Sequence, residues 1–453
     1  MKPEEFRQYG HEVVDWIADY LATNRALPVL PNMKPGDLVD QLPRSGPRQG
    51  EPMEAILHDF RERIVPALTH WNHPRFFAYF AASASAPGIL AEMLCAGLNV
   101  NGMVWKSAPA ATELEQVTLS WLRQWMGLPD ELFGIIYDTA STSTMHAIAA
   151  ARETAGARGD LVIYTSEQSH SSVEKGAFTL GIRRENVRKI LVDAEFRMRP
   201  EALREAIDAD LATGKKPFCV VATVGTTSTS SIDPVPAIAD IAERHGLWLH
   251  VDAAYGGSAA VVPEFQHVLD GAARAHSIVV NPHKWLFTPI DVSVLYTREP
   301  DILRRAFSLV PEYLRTHEDP RAVNFMDYGI QLGRRFRALK LWFVFRYFGR
   351  DGIAAILRNH VRWSRDLAAV IRAHPDFEVV APVPFSLICF RYRGSDDQNR
   401  QLLEKLNASG QAFLSHTVLN GRFVLRLSIG NIATTWEDLE EVWGLTVKIA
   451  SGL

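Results

Sequence analysis

Cysteine is scarce. The 453 residues hold three, Cys95, Cys219 and Cys389, far apart and in apolar surroundings. Neither a disulfide framework nor a zinc-ligand spacing fits them. Charge of one sign is also missing, because 48 Lys and Arg against 52 Asp and Glu leave a net charge of −4. No basic field therefore points to nucleic acid or to an anionic membrane surface. No apolar run has the length of a transmembrane helix. Internal repeats and low-complexity tracts are absent. The start, Met1-Lys2-Pro3-Glu4-Glu5-Phe6, is acidic and amphipathic, unlike a secretory signal. The expectation is a soluble cytoplasmic protein without a metal centre, a nucleic-acid partner or a membrane partner. What remains is ordinary globular composition, 47% hydrophobic and 22% charged, enough for one large domain and one or two smaller ones.

Phe6, Val13, Ile17, Tyr20 and Leu21 recur at helical spacing, so residues 4–22 read as an amphipathic helix. Six prolines between Pro28 and Pro52 then suppress regular structure, and a second helix is expected over 53–68. Such an arm cannot bury its stripes alone and needs the main body or another subunit. The aromatic cluster Trp71 to Phe80 follows, broken by His73 and Pro74; it suits either core or a pocket wall. Helices are expected at 87–98 and 110–127. Apolar runs at 134–137, 161–164, 190–192, 218–224, 247–251, 277–280 and 292–296 alternate for the most part with helical stretches at 142–157, 200–211 and 235–245. That alternation predicts a largely parallel sheet covered by helices on both faces. A helix-rich stretch over 329–373 leads to short strands at 377–381, 386–392, 412–416 and 423–429, with helices near 398–407 and 436–449, a small α+β domain.

Ligands in parallel α/β folds sit beyond the carboxyl ends of the strands, and the unusual polar residues fall there. Strand 277–280 breaks at Asn281-Pro282, followed by Lys284 between His283 and Trp285. Partial desolvation there would lower the amine's pKa and suit it to a Schiff base with an aldehyde cofactor. A lysine snorkelling from a strand end gives the same pattern. Strand 247–251 closes on Asp252, a carboxylate that needs a positive partner, such as a protonated pyridine nitrogen or a salt-bridging side chain. Strand 134–137 runs into Asp138-Thr139-Ala140-Ser141-Thr142-Ser143-Thr144 at a helix start, fit for a phosphate or for a plain Ser/Thr cap. Strand 161–165 leads to His170, and strand 218–224 to the polar turn 225–231 with Thr227. Taken together, a phosphate site, a ring-facing histidine, an aspartate and a lysine at strand ends describe a pyridoxal 5′-phosphate enzyme.

With these residues in place, the chain resembles the pyridoxal-phosphate-dependent aromatic-L-amino-acid decarboxylases, the group II decarboxylases. The resemblance is carried by Glu5-Phe6-Arg7, Thr69-His70-Trp71 to Phe80, His170-Ser171-Ser172-Val173-Glu174, His250-Val251-Asp252-Ala253-Ala254-Tyr255, Asn281-Pro282-His283-Lys284-Trp285 and Leu332-Gly333-Arg334-Arg335-Phe336-Arg337. It implies a type I aminotransferase-like α/β fold. Residues 1–85 would form an N-terminal helical arm, 86–360 a large, mostly parallel-sheet domain that binds the cofactor, and 361–453 a small α+β C-terminal domain. It also implies a homodimer with shared active sites.

Position by position, the resemblance gives Lys284 the Schiff base, Asp252 the pyridine nitrogen and His170 the ring face. Ala140, Ser141 and Asn281 would hold the phosphate with His283 close by, and Thr227 would sit near the ring. Trp71, Tyr79 and Phe80 would line the substrate pocket, with Asn101 and Met103 supplied by the second subunit. Ala81-Ala82 stands where several relatives carry Pro-Thr, which removes a hydroxyl able to reach a catechol. Asn101 replaces a commonly apolar residue and offers a hydrogen bond to an indole or phenol. Asp138-Thr139 replaces a Gly-Ser pair, and its carboxylate must point away from a phosphate.

The segment Pro311 to Pro320 is polar and proline-bounded and reads as a lid. The resemblance makes Tyr313 in it the acid that reprotonates the substrate carbon after CO2 leaves. Related aldehyde synthases typically change this tyrosine to phenylalanine or the ring-facing histidine to asparagine. With Tyr313 and His170 both present, decarboxylation of tryptophan, phenylalanine, tyrosine or dopa is expected ahead of oxidative conversion to an aldehyde, and a catalytically silent homologue comes last.

Overall fold

The computed structural model describes residues 1–156, 160–309 and 322–453. It contains two compact units. The larger comprises Ala82–Ala373 with Val379–Cys389, and the smaller Met1–Ala81, His374–Glu378 and Phe390–Leu453.

The larger unit is built on seven strands, β1 Phe133–Tyr137, β2 Leu161–Ser166, β3 Val187–Ile190, β4 Lys216–Thr223, β5 Trp248–Asp252, β6 Ser277–Val280 and β7 Ser293–Thr297. Their order is β1-β7-β6-β5-β4-β2-β3. Only β7 runs against its neighbours, pairing antiparallel with both β1 and β6. The other six strands therefore end at one edge of the sheet. Phe218 to Ala222 of β4 are buried without a break, as a strand covered on both faces requires. Helices Ala140–Thr154, Pro200–Ala212 and Val235–Arg244 occupy the expected places.

The third strand lies earlier than its apolar run suggests. Ile190 ends it, Leu191 is exposed, and the Arg199 N–H bonds back to Leu191 as the chain leaves the sheet. Arg188 and Lys189 within it suit an edge strand, where charge discourages further pairing. The stretch expected to be helix-rich from 329 becomes helical only at Ala338 and continues to Ala373 through a kink at Gly349.

In the smaller unit the helix Pro3–Thr23 stacks Trp16 on Tyr20, with Phe60 edge-on at 4.9 Å. The expected second helix begins as Met53–Asp59, widens into a π turn over Phe60–Ile64 and tightens into a 3₁₀ turn at Val65–Ala67. Pro66, which has no N–H to donate, stands at this change of pitch. Strands β10 Ser415–Leu419 and β11 Arg422–Ser428 form a hairpin whose turn residues Asn420 and Gly421 both have positive φ, the requirement of a tight type I′ turn. With β8 Phe377–Val379 and β9 Leu387–Tyr392 the sheet order is β10-β11-β9-β8. Helices Asp396–Ala408 and Trp436–Ala450 start on capping boxes formed by Ser395 with Gln398 and Thr435 with Asp438. Among the described residues, no helix is long and apolar enough to cross a membrane.

Candidate active site

Lys284 lies in the short helical turn Pro282–Trp285 just beyond β6. Proline at the first helical position starts this turn without wasting an N–H, and the Lys284 N–H bonds the Asn281 carbonyl at 3.0 Å. Trp285 is fully buried, stacked on Tyr255 at 4.9 Å, and its Nε1 donates to His360 Nδ1 at 3.0 Å. The indole thus pins the turn that carries the lysine. Part of Lys284 stays accessible. Lost hydration nevertheless pushes its amine below the ordinary lysine range, against the opposing pull of the Asp252 carboxylate.

Asp252 ends β5, is 5% exposed, and accepts the Ala254 N–H at 3.1 Å. Trp248, His250 and Asp252 share one face of the strand by alternation, and below the aspartate a hydrogen-bonded chain fills that face. Trp248 Nε1 donates to Ser277 Oγ at 2.9 Å, which leaves the serine hydroxyl to serve His250 Nδ1 at 2.9 Å; His250 Nε2 then faces Thr144 Oγ1 at 3.3 Å. Burial holds His250 neutral, with its pKa down to about 4. In the sequence, His250 and Thr144 stand only inside longer motifs, and nothing there shows their bonding to each other or to Ser277 and Trp248. Alternation along β5 was the available signal.

His170 follows β2, in a loop tied to the end of β4 by Ser169 Oγ and Thr223 Oγ1 at 3.3 Å. The Ser172 N–H donates to His170 Nδ1 at 3.1 Å and the Ser172 hydroxyl lies 2.8 Å from the same atom. A nitrogen that accepts an N–H carries no proton, so the neutral ring keeps its proton on Nε2. Desolvation first, then the nearby Lys284 charge, lower the His170 pKa, with Asp252 acting oppositely. Lys284, Asp252 and His170 therefore lie within mutual electrostatic reach.

The helix Ala140–Thr154 presents its first N–H groups, which have no intrahelical acceptor, at the same sheet edge, with Ala140 buried and Ser141 exposed. The Asp138 carboxylate is turned back onto the Thr139 N–H at 2.6 Å. Its charge is thus engaged locally. Asn281 is 2% exposed and its Oδ1 position has no hydrogen-bond partner among the described residues. Its other amide end lies 3.3 Å from His283 Nε2. His283 Nδ1 accepts the Val292 N–H at 2.9 Å, and burial keeps the ring neutral, with its pKa down to about 3. A buried amide end with no partner among the described residues, a helix N-terminus, a lysine of lowered pKa and a carboxylate fit a phosphorylated pyridine aldehyde.

Thr227 is exposed on the turn after β4. Within that turn the hydroxyls of Thr226, Thr229 and Ser231 bond one another at 2.9 Å. Asp233 fixes the turn's far end by accepting the Met198 and Thr223 N–H groups at 2.7 and 2.8 Å. Gly225 has φ +91°, and a Cβ there would lie 2.8 Å from the Gly256 nitrogen. A Cβ on Gly256 would lie 2.6 Å from the Val224 carbonyl. The loops after β4 and β5 thus touch backbone to backbone.

Ala82 is partly buried in the larger unit. Asn101 is exposed, with Oδ1 accepting the Arg334 N–H at 2.9 Å and Nδ2 lying 3.7 Å from Met103 Sδ. Its oxygen is already engaged within its own chain. In the smaller unit, exposed Trp71 and Tyr79 stack at 6.0 Å beside buried Phe76. Tyr79 takes a positive φ of 52°, Arg426 lies over Phe80 at 5.5 Å, and Ala81 is buried. Tyr313, with the expected lid over 311–320, lies outside the described residues.

A sheet of this topology with a lysine, an aspartate and a histidine at one edge defines a pyridoxal-phosphate enzyme of the α/β class. Residues 35–393 match the pyridoxal-dependent decarboxylase conserved domain. The chain belongs to that family: it is a carboxy-lyase whose cofactor is pyridoxal 5′-phosphate. It is similar to a phenylacetaldehyde synthase of Arabidopsis thaliana, at 40% identity over 100% of this chain and 97% of the relative. A tryptophan decarboxylase 2 of Oryza sativa subsp. japonica is 39% identical over 98% and 94%. The crystal structure of Oryza sativa TDC with PLP and tryptamine superposes with a TM-score of 0.97 at 37% identity, covering 100% of this chain and 99% of that one.

Proposed function

We propose that the protein decarboxylates an aromatic L-amino acid, from among tryptophan, phenylalanine, tyrosine and dopa, to the arylethylamine and CO2. The observation that carries this reading is the grouping of Lys284, of lowered pKa, with Asp252 and His170 at one sheet edge, in a chain matched along its whole length by aromatic amino acid enzymes.

Bound pyridoxal 5′-phosphate supplies a conjugated electron sink for the pair left on the substrate α-carbon when the bond to CO2 breaks. With the cofactor bound, Lys284, its amine depressed by lost hydration, would be the group to meet the aldehyde. Asp252 would favour a protonated pyridine nitrogen, and His170 would lie against the ring. Ala140, Ser141 and Asn281 would hold the phosphate, with Thr227 near the ring. Tyr313 returns a proton to the α-carbon. For the substrate ring, Trp71, Tyr79, Phe80, Ala81 and Ala82, with Asn101 and Met103 of a second subunit, are carried over from the family resemblance.

We propose a homodimer, with residues 1–85 as the arm that embraces the partner. The helix Pro3–Thr23 buries none of its residues within the chain. In the larger unit, the helix Ala86–Leu98 exposes Leu90, Met93, Leu94 and Leu98 at helical spacing. Apolar stripes of this kind mark contact surfaces. Light scattering would read twice the 50.6 kDa chain mass; a monomer at micromolar concentration would refute the dimer. Buried cysteines and the absence of a disulfide among the described residues support a cytoplasmic setting.

The second reading, an aldehyde synthase, draws on the phenylacetaldehyde synthase relative. One experiment separates the two: incubate the holoenzyme with each of the four amino acids and identify the products. Amine and CO2 alone support decarboxylation. Aldehyde with stoichiometric ammonia and hydrogen peroxide supports the synthase. No turnover of any of the four overturns both.

A further inference from the structure

His283 and Asn281 stand two residues apart, yet their bonding is settled by Val292, nine residues further on. The Val292 N–H can only donate, and it points at His283 Nδ1 from 2.9 Å. The single proton of the neutral imidazole must therefore sit on Nε2. Nε2–H in turn needs an acceptor, and the group 3.3 Å away is the Asn281 amide. Two N–H donors facing each other inside a buried pocket repel. The oxygen and nitrogen of an amide exchange places by a half-turn, and the bonding pattern decides between them. The stable arrangement puts the Asn281 oxygen on His283 Nε2–H. The NH2 end then occupies the position that has no partner among the described residues, in a side chain 2% exposed. An isolated donor at that depth is costly unless an acceptor arrives from outside the protein. An anion is the acceptor that suits it best.

We infer that His283 is a positioning residue for the cofactor phosphate: its Nε2–H locks the Asn281 amide with the NH2 group presented to the phosphate oxygens. The inference rests on the reading above that Asn281 holds that phosphate. His283 itself needs no contact with the cofactor. It acts as a tautomer relay, in which a backbone N–H at Val292 selects the ring proton and the ring proton selects the amide face. The family resemblance sets His283 close to the phosphate, but nothing in the sequence shows the bond through which it acts on Asn281.

The test compares two ligands that differ only in the phosphate, pyridoxal 5′-phosphate and pyridoxal, titrated into apoenzyme and followed by absorbance. His283→Asn keeps an acceptor within reach of the Val292 N–H and removes the donor to Asn281. It is expected to weaken pyridoxal 5′-phosphate about tenfold or more, the effect of losing an oriented bond to a charged acceptor, while pyridoxal affinity stays within about twofold and reports an intact fold. Asn281→Ala should do the same, and His283→Asn added to Asn281→Ala should cost little more, because the two act as one unit. Equal weakening of both ligands by His283→Asn would make His283 merely structural and overturn the inference. So would an unchanged preference in His283→Asn when Asn281→Ala abolishes it. If Asn281→Ala itself leaves the preference intact, the phosphate role of Asn281 fails, and the inference falls with it.

Discussion

Two lysines of the larger unit are pushed below the ordinary lysine range by burial, Lys284 beyond β6 and Lys340 in the first turn of the helix Ala338–Ala373. Their surroundings differ. Lys340 is 1% exposed and meets the Glu92 carboxylate at 2.8 Å, a carboxylate that Arg335 also engages. Lys284 keeps an accessible portion, and the carboxylate that acts on it, Asp252, is fixed by its own strand. A contact ion pair holds a buried amine in its charged, unreactive form. For Lys284 desolvation is the largest influence and the Asp252 carboxylate opposes it; for Lys340 desolvation is opposed by Glu92 and Asp291. Burial alone does not separate the two lysines; the groups around them do.

The comparison breaks first at Lys284. Lys284→Ala should lower the decarboxylation rate about 10³-fold or more and abolish the borohydride-trapped link between protein and cofactor. A rate near wild type, measured by CO2 release, would remove Lys284 from the chemistry. Asp252→Asn keeps the side chain's shape and removes its charge. A fall in kcat of about 10²–10⁴-fold is expected, the range of a lost proton-holding group, with cofactor still bound by absorbance.

Acid should act on the buried histidines next. His73, His146 and His250 have pKa values lowered to about 4 and His283 to about 3, all from 6.5 and all chiefly by burial. Between those values the unfolded chain binds more protons than the folded one, so stability falls as pH drops through 6.5 toward 4. Asp233, raised to about 6, opposes this by gaining stability as pH falls through its own window, one group against four. The melting temperature should drop by several degrees between about pH 7.5 and pH 5, whereas an unchanged melt would show these rings are not held neutral.

The smallest effect belongs to Lys340→Met. It removes one cation from Glu92 while Arg335 remains, and should cost about 1–3 kcal/mol of stability by denaturant unfolding, with kcat/KM close to wild type. A catalytic loss comparable to that of Lys284→Ala would erase the distinction between the two lysines.

Much of the larger unit was legible in the sequence. Unbroken apolar runs mark strands covered on both faces, and β5 and β6 end where Asp252 and Asn281-Pro282 stop those runs. The reversal of β7 was not legible, because an apolar run carries no sign of its direction. Nor was the start of β3, where Arg188 and Lys189 interrupt the pattern at a sheet edge. At the site, Lys284 and Asp252 stand out as charges closing apolar strands. The roles of Val292, Ser277 and Thr144 did not, because each acts through a partner distant in sequence and belongs to residue types that fill any core. Asn101, expected by resemblance to offer a hydrogen bond to the substrate, also has a task in its own chain, because its oxygen accepts the Arg334 N–H; that bond was not legible in the sequence.

The backbone contact between Gly225 and Gly256 has a mechanical consequence. With no side chain between them to yield, the turn carrying Thr227 and the loop following Asp252 bear directly on one another, and a methyl group at either glycine would have to push the two loops apart.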